Sequence, residues 1–258
     1  MSVTRLPKYV EALRNQPIEP FISELLQTRP DSHLSKVIGL PSERGNYEVF
    51  FPESNRCGVV SARNVLRISV ETAKLADLLS YVPVLKKEAI IGEAARLMSD
   101  YRIRAVPVSD GHKVIGQVNC VKLLQELKGK IGQDLRITSI ATKGPLTLDA
   151  EASAAKARDL MVRKRIDHLP VTRTGRLAGV ITSTDVVVRM AQPERIGPKS
   201  IRPETRGTLD FPVANAMDLT PLTCTPETNV EQALETMLKS AKTYVLITQW
   251  EELQGIIT

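Results

Sequence analysis

No stretch of this 258-residue chain reaches 18 consecutive apolar residues, which excludes a membrane-spanning helix. Met1 to Glu11 lacks a long apolar core, so no secretory signal is expected there. Cysteine is scarce: Cys57, Cys120 and Cys224 are odd in number, widely spaced and form no C-x-x-C pair. The three histidines, His33, His112 and His168, are scattered, so neither a zinc site nor a disulfide scaffold is expected. That favours a reducing, cytoplasmic setting, with the thiols as buried apolar filler. Aromatics are 4% of the chain, which leaves little for base-stacking platforms and rests the core on Val, Ile, Leu, Ala and Met. No paired carboxylates, nucleophile elbow or metal-ligand cluster can be placed, which argues against an enzyme.

What is present is an ordinary globular composition, 42% apolar and 25% charged, on a chain long enough to bury a core without staples. Formal charge is +6, which suits phosphate-bearing partners, nucleotide or nucleic acid. Yet no basic run approaches five residues. The densest patch, Arg163-Lys164-Arg165, sits at a predicted helix end, where the helix dipole favours cations anyway.

One pattern recurs along the chain. Its clearest copy predicts a short strand at Leu146–Leu148 and a helix from Ala150 to Lys164 with Ala154, Ala157, Leu160 and Met161 on one stripe. A hairpin follows: Leu169–Thr172, a turn at Thr174-Gly175, then Leu177–Thr182. Thr182 or Ser183 caps a closing helix with Asp185 in its first turn. The same order recurs over 84–125, with Ile91, Ala94, Leu97 and Met98 on the helix, and over 213–258, with Val230, Ala233, Leu234 and Met237. Met98 to Gly116, Met161 to Gly179 and Met237 to Gly255 are each 18 residues apart. A more eroded first copy has a helix at His33–Leu40, strands at Tyr47–Phe51 and Cys57–Ser61, and a closing helix at Ala62–Leu66.

Gly58, Gly116, Gly179 and Gly255 mark the same point in four second strands, and a glycine repeated inside a strand implies close backbone approach or a bulge. Gly129 and Gly132 mark a break between two halves. Residues 1–128 hold repeats at about 12–68 and 69–128; residues 134–258 hold repeats at about 134–192 and 211–258, with an insert or linker at 193–210. The fourth repeat is incomplete, since Thr258 precedes its closing helix; Met1–Leu13 or a second subunit is expected to cover that face. The fold class is α/β with α+β-like repeats, each a small three-stranded sheet with flanking helices. A lone unit is too small to bury both sheet faces, so units pair and leave a cleft suited to a ligand.

These motifs resemble the CBS (cystathionine-β-synthase) domain, found in tandem pairs known as Bateman modules. The resemblance rests on Ile166-Asp167-His168-Leu169-Pro170-Val171 and Gly179-Val180-Ile181-Thr182-Ser183-Thr184-Asp185, which fit the apolar-Pro-Val strand and the Gly-x-apolar-Thr-x-x-Asp turn into a helix. Arg104-Ala105-Val106-Pro107-Val108 with Gly116-Gln117-Val118-Asn119, and Gly255-Ile256-Ile257-Thr258, carry it into repeats two and four. Four repeats in one chain resemble the γ subunit of AMP-activated kinase and its stand-alone archaeal relatives. The resemblance implies regulatory binding of AMP, ADP or ATP, reported to a separate effector protein, and no catalysis. S-adenosylmethionine and DNA or RNA are the alternative ligands, and a homodimer through exposed helices is expected.

The implied site lies in the second half. Asp185 suits the two hydroxyls of a ribose, while Thr182, Thr184 and the helix N-terminus suit a phosphate. The competing reading of Asp185 is simple capping. Asp167 and His168 stand at the strand entry; Arg104 is taken to match His168 in its own repeat, and Lys242 stands beside the fourth such junction. Ile166, Pro170 and Val180 would line the adenine, Thr142, Lys143 and Pro145 its lip, and Thr223 and Thr225 bracket the same region of repeat four. A second site in the first half would use Asn64, Arg104, Pro107 and Lys122, with Asn64 and Lys122 standing where Asp185 stands in repeat three.

Overall fold

The computed structural model describes residues 8–28, 48–53, 56–68, 75–191 and 209–258. The expected helix over His33–Leu40 and residues 193–208 of the insert lie outside these. The first half carries α1 (Lys8–Arg14), β1 (Ile22–Ser23), β2 (Glu48–Pro52), β3 (Cys57–Ser61), α2 (Ala62–Val65), α3 (Leu75–Leu78), β4 (Ser80–Val82), β5 (Leu85–Lys86), α4 (Ile91–Tyr101), β6 (Ala105–Ser109), β7 (Val114–Asn119) and α5 (Cys120–Leu127). The second half carries β8 (Thr142–Lys143), β9 (Leu148–Asp149), α6 (Ala154–Lys164), β10 (His168–Arg173), β11 (Arg176–Thr182), α7 (Ser183–Ala191), β12 (Thr223–Cys224), α8 (Val230–Ser240), β13 (Val245–Gln249) and β14 (Glu252–Ile257). Among the described residues, no helix is long and apolar enough to cross a membrane.

Repeats two, three and four each have a parallel strand pair joined through a helix, followed by a hairpin; in repeat one the described residues show the hairpin. β9 runs parallel to β10 across α6, β5 to β6 across α4, and β12 to β13 across α8. Parallel pairing needs such a crossover. The stripe of α6 behaves as expected: Ala154, Ala157 and Met161 are buried. Its start does not. The Ala150 N–H donates to Thr172 O at 2.8 Å, extending the β9 pairing, so the chain turns helical only after Ser153, whose hydroxyl accepts from the Lys156 N–H. The strand expected at Leu146–Leu148 lies at Leu148–Asp149, and Leu146 is exposed. The turn glycines Gly111 and Gly175 hold φ of 96° and 82°, where a side chain would be strained.

The repeats exchange edges. β1, which leads repeat one, pairs antiparallel with β7 of repeat two, and β4, which leads repeat two, pairs with β3 of repeat one. β8 leads repeat three and pairs with β14 of repeat four, while Asp218, near the start of repeat four, bridges Val180 in β11 of repeat three. The added edges make two sheets four-stranded and leave two three-stranded. They also account for the glycines. A Cβ on Gly116 would lie 2.5 Å from Ser23 O, and one on Gly179 2.6 Å from Asp218 O. Gly255 would meet Thr142 O at 3.2 Å and Gly58 the Leu79 side chain at 3.0 Å. A bulge falls next to Gly116, Gly179 and Gly255 as well, so close approach and bulge are both present.

The apolar clusters join the repeats into a ring. Phe50, Val59 and Val82 pack with Val106, Val108 and Val118, uniting repeats one and two. Val180, Tyr244, Leu246 and Ile256 unite three and four. Val49, Phe51 and Val65 pack with Met161, Leu169 and Val186, joining one to three, where α2 meets α7. α5 against α8 closes the ring between two and four. In β2, Phe50 faces one cluster and Val49 and Phe51 the other, the period-two alternation of a strand buried on both faces. α1 packs on α4 in repeat two, so this part of Met1–Leu13 does not cover repeat four. Of the cysteines, only Cys57 is fully buried; all three are free, and burial pushes the Cys57 and Cys120 thiols up to about 11, which keeps them protonated.

Candidate functional site

Strand register decides which residues match across repeats. Gly116 pairs with Val108 and Gly179 with Val171, which aligns Pro107 with Pro170, Arg104 with Asp167, and Ala105 with His168. The expected match of Arg104 to His168 is therefore off by one, and one residue along a strand reverses the face. Glu48 and Tyr244 hold the His168 position in repeats one and four. All four of these residues are buried, so His168 faces the protein interior and not an open cleft. Its Nε2 lies 2.9 Å from Thr243 Oγ1 and its ring 5.3 Å from that of Tyr244. Burial, helped by the Arg104 charge, pushes His168 down to about 4. Burial pushes Glu48 up to about 7; one carboxylate oxygen accepts the Arg104 N–H at 2.9 Å and the other has no partner among the described residues.

In the first half an open cleft of about 770 Å³, counting the space at its mouth, lies between repeats one and two. Arg63, Arg67, Arg102 and Arg165 line it, together with Asp100. Asn64 sits at its wall. Its Oδ1 accepts from the Ser61 N–H at 2.9 Å and hydroxyl at 2.6 Å, and its Nδ2 donates to Ser80 Oγ at 2.7 Å. Arg102 and Arg165 end α4 and α6 in left-handed conformation, φ 53° and 54°, which swings both out of their helices. Arg102 donates to Arg165 O at 2.7 Å, and Arg63 donates to Arg102 O at 3.2 Å and to both Asp167 oxygens. Asp167 thus joins the first-half site from across the ring.

The matching place in the second half is built from the other sign. The Thr182 N–H and hydroxyl donate to Asp185 Oδ2 at 2.8 and 2.7 Å, and the Asp185 N–H donates back to Thr182 Oγ1 at 3.2 Å. This is reciprocal capping of α7. Burial pushes the Asp185 carboxyl up, with the Asp218 charge adding to it. Asp218 Oδ2 accepts from Lys242 at 2.6 Å and from the Tyr244 hydroxyl at 2.8 Å. Although burial opposes it, these bonds and Thr220 hold Asp218 down to about 2. Lys242 is thereby tied to Asp218.

The exchanged edges divide the expected second-half site. Thr142 pairs with Ile256 and Lys143 with Gly255 in repeat four, both exposed, so with Pro145 they form a lip of repeat four. The segment on β11 beside Thr182 and Asp185 is Met217–Asp218 instead. Thr223 is exposed in β12 beside Leu246. Ile166 packs into the core between repeats one and three, and Pro107 and Pro170 are buried in their strands. Thr184, Arg104, Glu48 and Asp167 border a small cavity where repeats one, two and three meet. Lys122 is exposed beside Pro17 and Phe21, and is not brought to Asn64. Arg63, Arg67, Arg102, Arg165 and Asp218 were absent from the sequence-derived set. The repeat frame held a signal for two of them: Arg102 and Arg165 each stand four residues after the repeated methionine. Among the described residues no metal-ligand cluster is found.

A family model for the CBS domain matches residues 75–129 and 137–192. An uncharacterized protein of Methanocaldococcus jannaschii is 23% identical over 256 residues, 95% of this chain; the chain spans 60% of that protein's length. The uncharacterized protein YlbB of Bacillus subtilis is 30% identical over 131 residues, 48% of this chain and 86% of YlbB. Among solved structures, a M. jannaschii protein described as a candidate archaeal homolog of γ-AMPK superposes with a TM-score of 0.80 at 17% identity, covering 94% of this chain and 97% of that one.

Proposed function

Because this chain belongs to the CBS-domain family, we propose that it is a regulatory protein that binds adenine nucleotides between paired repeats and reports occupancy to a separate effector protein. The two pairs are taken as 1–128 and 134–258. The observation that carries the reading is the convergence of Arg63, Arg67, Arg102 and Arg165 on one cleft beside Asn64. Guanidinium groups hold phosphate oxygens in planar pairs, and a cleft of this size suits a nucleotide. A ribose hydroxyl can replace Ser80 as the partner of Asn64. The first-half cleft is the primary site on this reading. The place around Thr182, Thr184 and Asp185 is the secondary one, because a second carboxylate, Asp218, stands across from it and repels phosphate.

The same charges weigh against S-adenosylmethionine, whose sulfonium would sit among guanidinium groups. Nucleic acid is supported only by the net charge. The arginines converge on one cleft and do not form a stripe, and Arg163 is paired with Asp159. Calorimetry on the purified protein with AMP, ADP, ATP, S-adenosylmethionine and a short duplex separates these readings. Binding of at least one adenine nucleotide at micromolar to millimolar affinity is expected; silence from all three defeats the proposal. Light scattering of the same samples reads out the expected homodimer.

A further inference from the structure

The ion pair between Arg63 and Asp167 crosses the ring. Arg63 stands on α2 of repeat one and lines the first-half cleft; Asp167 stands just ahead of β10 in repeat three. Arg63 Nε donates to Asp167 Oδ1 at 3.2 Å and a second guanidinium nitrogen donates to Oδ2, the two-pronged arrangement that a phosphate also uses. The side chains are 17% and 22% exposed, so water screens the pair only in part. Asp167 is itself anchored, since its carbonyl accepts the Ser183 N–H at 2.8 Å at the start of α7.

The geometry points to Asp167 as a built-in competitor for the anionic group of the ligand: its carboxylate occupies the Arg63 fork, and a bound phosphate takes its place. This rests on the nucleotide reading of the first-half cleft. Arg63 cannot hold two planar acceptors in one fork, so occupancy of the cleft opens a contact that ties the two halves. Arg104 and Asp167 border one small cavity, so a released Asp167 keeps a cation beside it. By reciprocity, whatever the latch contributes to joining the halves is subtracted from ligand affinity, and ligand binding weakens the joint by the same factor. Occupancy in repeats one and two is thus felt at α7 in repeat three.

The test is calorimetric titration with ADP. Asp167→Asn keeps the shape and removes the charge; it is expected to bind ADP about tenfold tighter than wild type, as loss of a partly desolvated competitor implies. In an Arg63→Lys background, whose ammonium cannot form the fork, the same Asn substitution is expected to change affinity by less than about twofold. Melting curves check that each variant is folded, and Asp167→Ser replaces Asp167→Asn if the latter is not. Equal or weaker ADP binding by the folded Asp167 variant overturns the latch, as does tightening of the same size in the Arg63→Lys background. No ADP binding by wild type or variants defeats the nucleotide reading itself, and the latch with it.

Discussion

Arg63, Arg67, Arg102 and Arg165 line the first-half cleft with Asn64 and Asp100; at the matching place in the second half the Asp218 charge acts on Asp185, and Lys242 is tied to Asp218. The backbone frame is the same in both: a hairpin, a short turn into a closing helix, and a leading segment borrowed from the partner repeat. The half that fits the family pattern better, through Thr182 and Asp185, is the one whose charge suits phosphate less. A motif that caps a helix serves the fold whether or not a ligand is present, so it reports on architecture more than on binding.

The contrast extends to the ring interior, where Glu48 and His168 hold equivalent positions and titrate in opposite senses. Glu48 has its folded value raised to about 7, so the stability it supports is full at low pH and is lost as pH rises from about 4.5 through 7. His168 is lowered to about 4, so its contribution is present above about 6.5 and lost as pH falls through 4. The two slopes oppose each other in the wild-type protein. Glu48→Gln leaves the histidine slope alone, and stability should rise by about 3 kcal/mol from pH 4 to 7. His168→Gln leaves the glutamate slope, and stability should fall by about as much. Denaturant unfolding at pH 4, 5.5 and 7.5 reads both; matching slopes in the two variants would erase the contrast.

The shared frame is tested at the glycines. Gly116→Ala and Gly179→Ala place a Cβ against a backbone carbonyl in each half, and each should cost about 2 kcal/mol in a thermal melt. Gly58→Ala is tight only against the flexible end of the Leu79 side chain, with Phe51 at ordinary contact distance, and should cost less than half of that. A smaller effect separates the clefts. Arg102→Ala should weaken ADP binding about tenfold in calorimetry, the loss of one charged hydrogen bond. Smallest is Asp185→Ala, which should cost about 1 kcal/mol of stability through the lost cap and leave ADP affinity at the first-half cleft unchanged.

Much of this was legible in the sequence because it depends on neighbours in the chain. The stripe of Ala154, Ala157 and Met161, the turns at Gly111 and Gly175, and the spacing from Met161 to Gly179 are local patterns with local causes. Even the repeated strand glycine implies close approach, without specifying the partner. The start of α6 was misplaced because a carbonyl across the sheet, Thr172 O, holds Ala150 in the strand pairing. The matching of Arg104 with His168 failed because register is a property of two strands at once.

By itself, then, the amino-acid order determined the α/β repeat pattern and the points where backbones must touch, since periodicity and turn chemistry act over a few residues. Only the tertiary structure decided which leading segment completes which sheet, that Thr142 and Lys143 border repeat four while Asp218 stands beside Asp185, and that Arg63 reaches Asp167 across the ring. Those outcomes depend on edge exchange and ring closure between segments up to about a hundred residues apart, where burial and hydrogen bonding of distant partners choose among pairings that local pattern leaves equivalent.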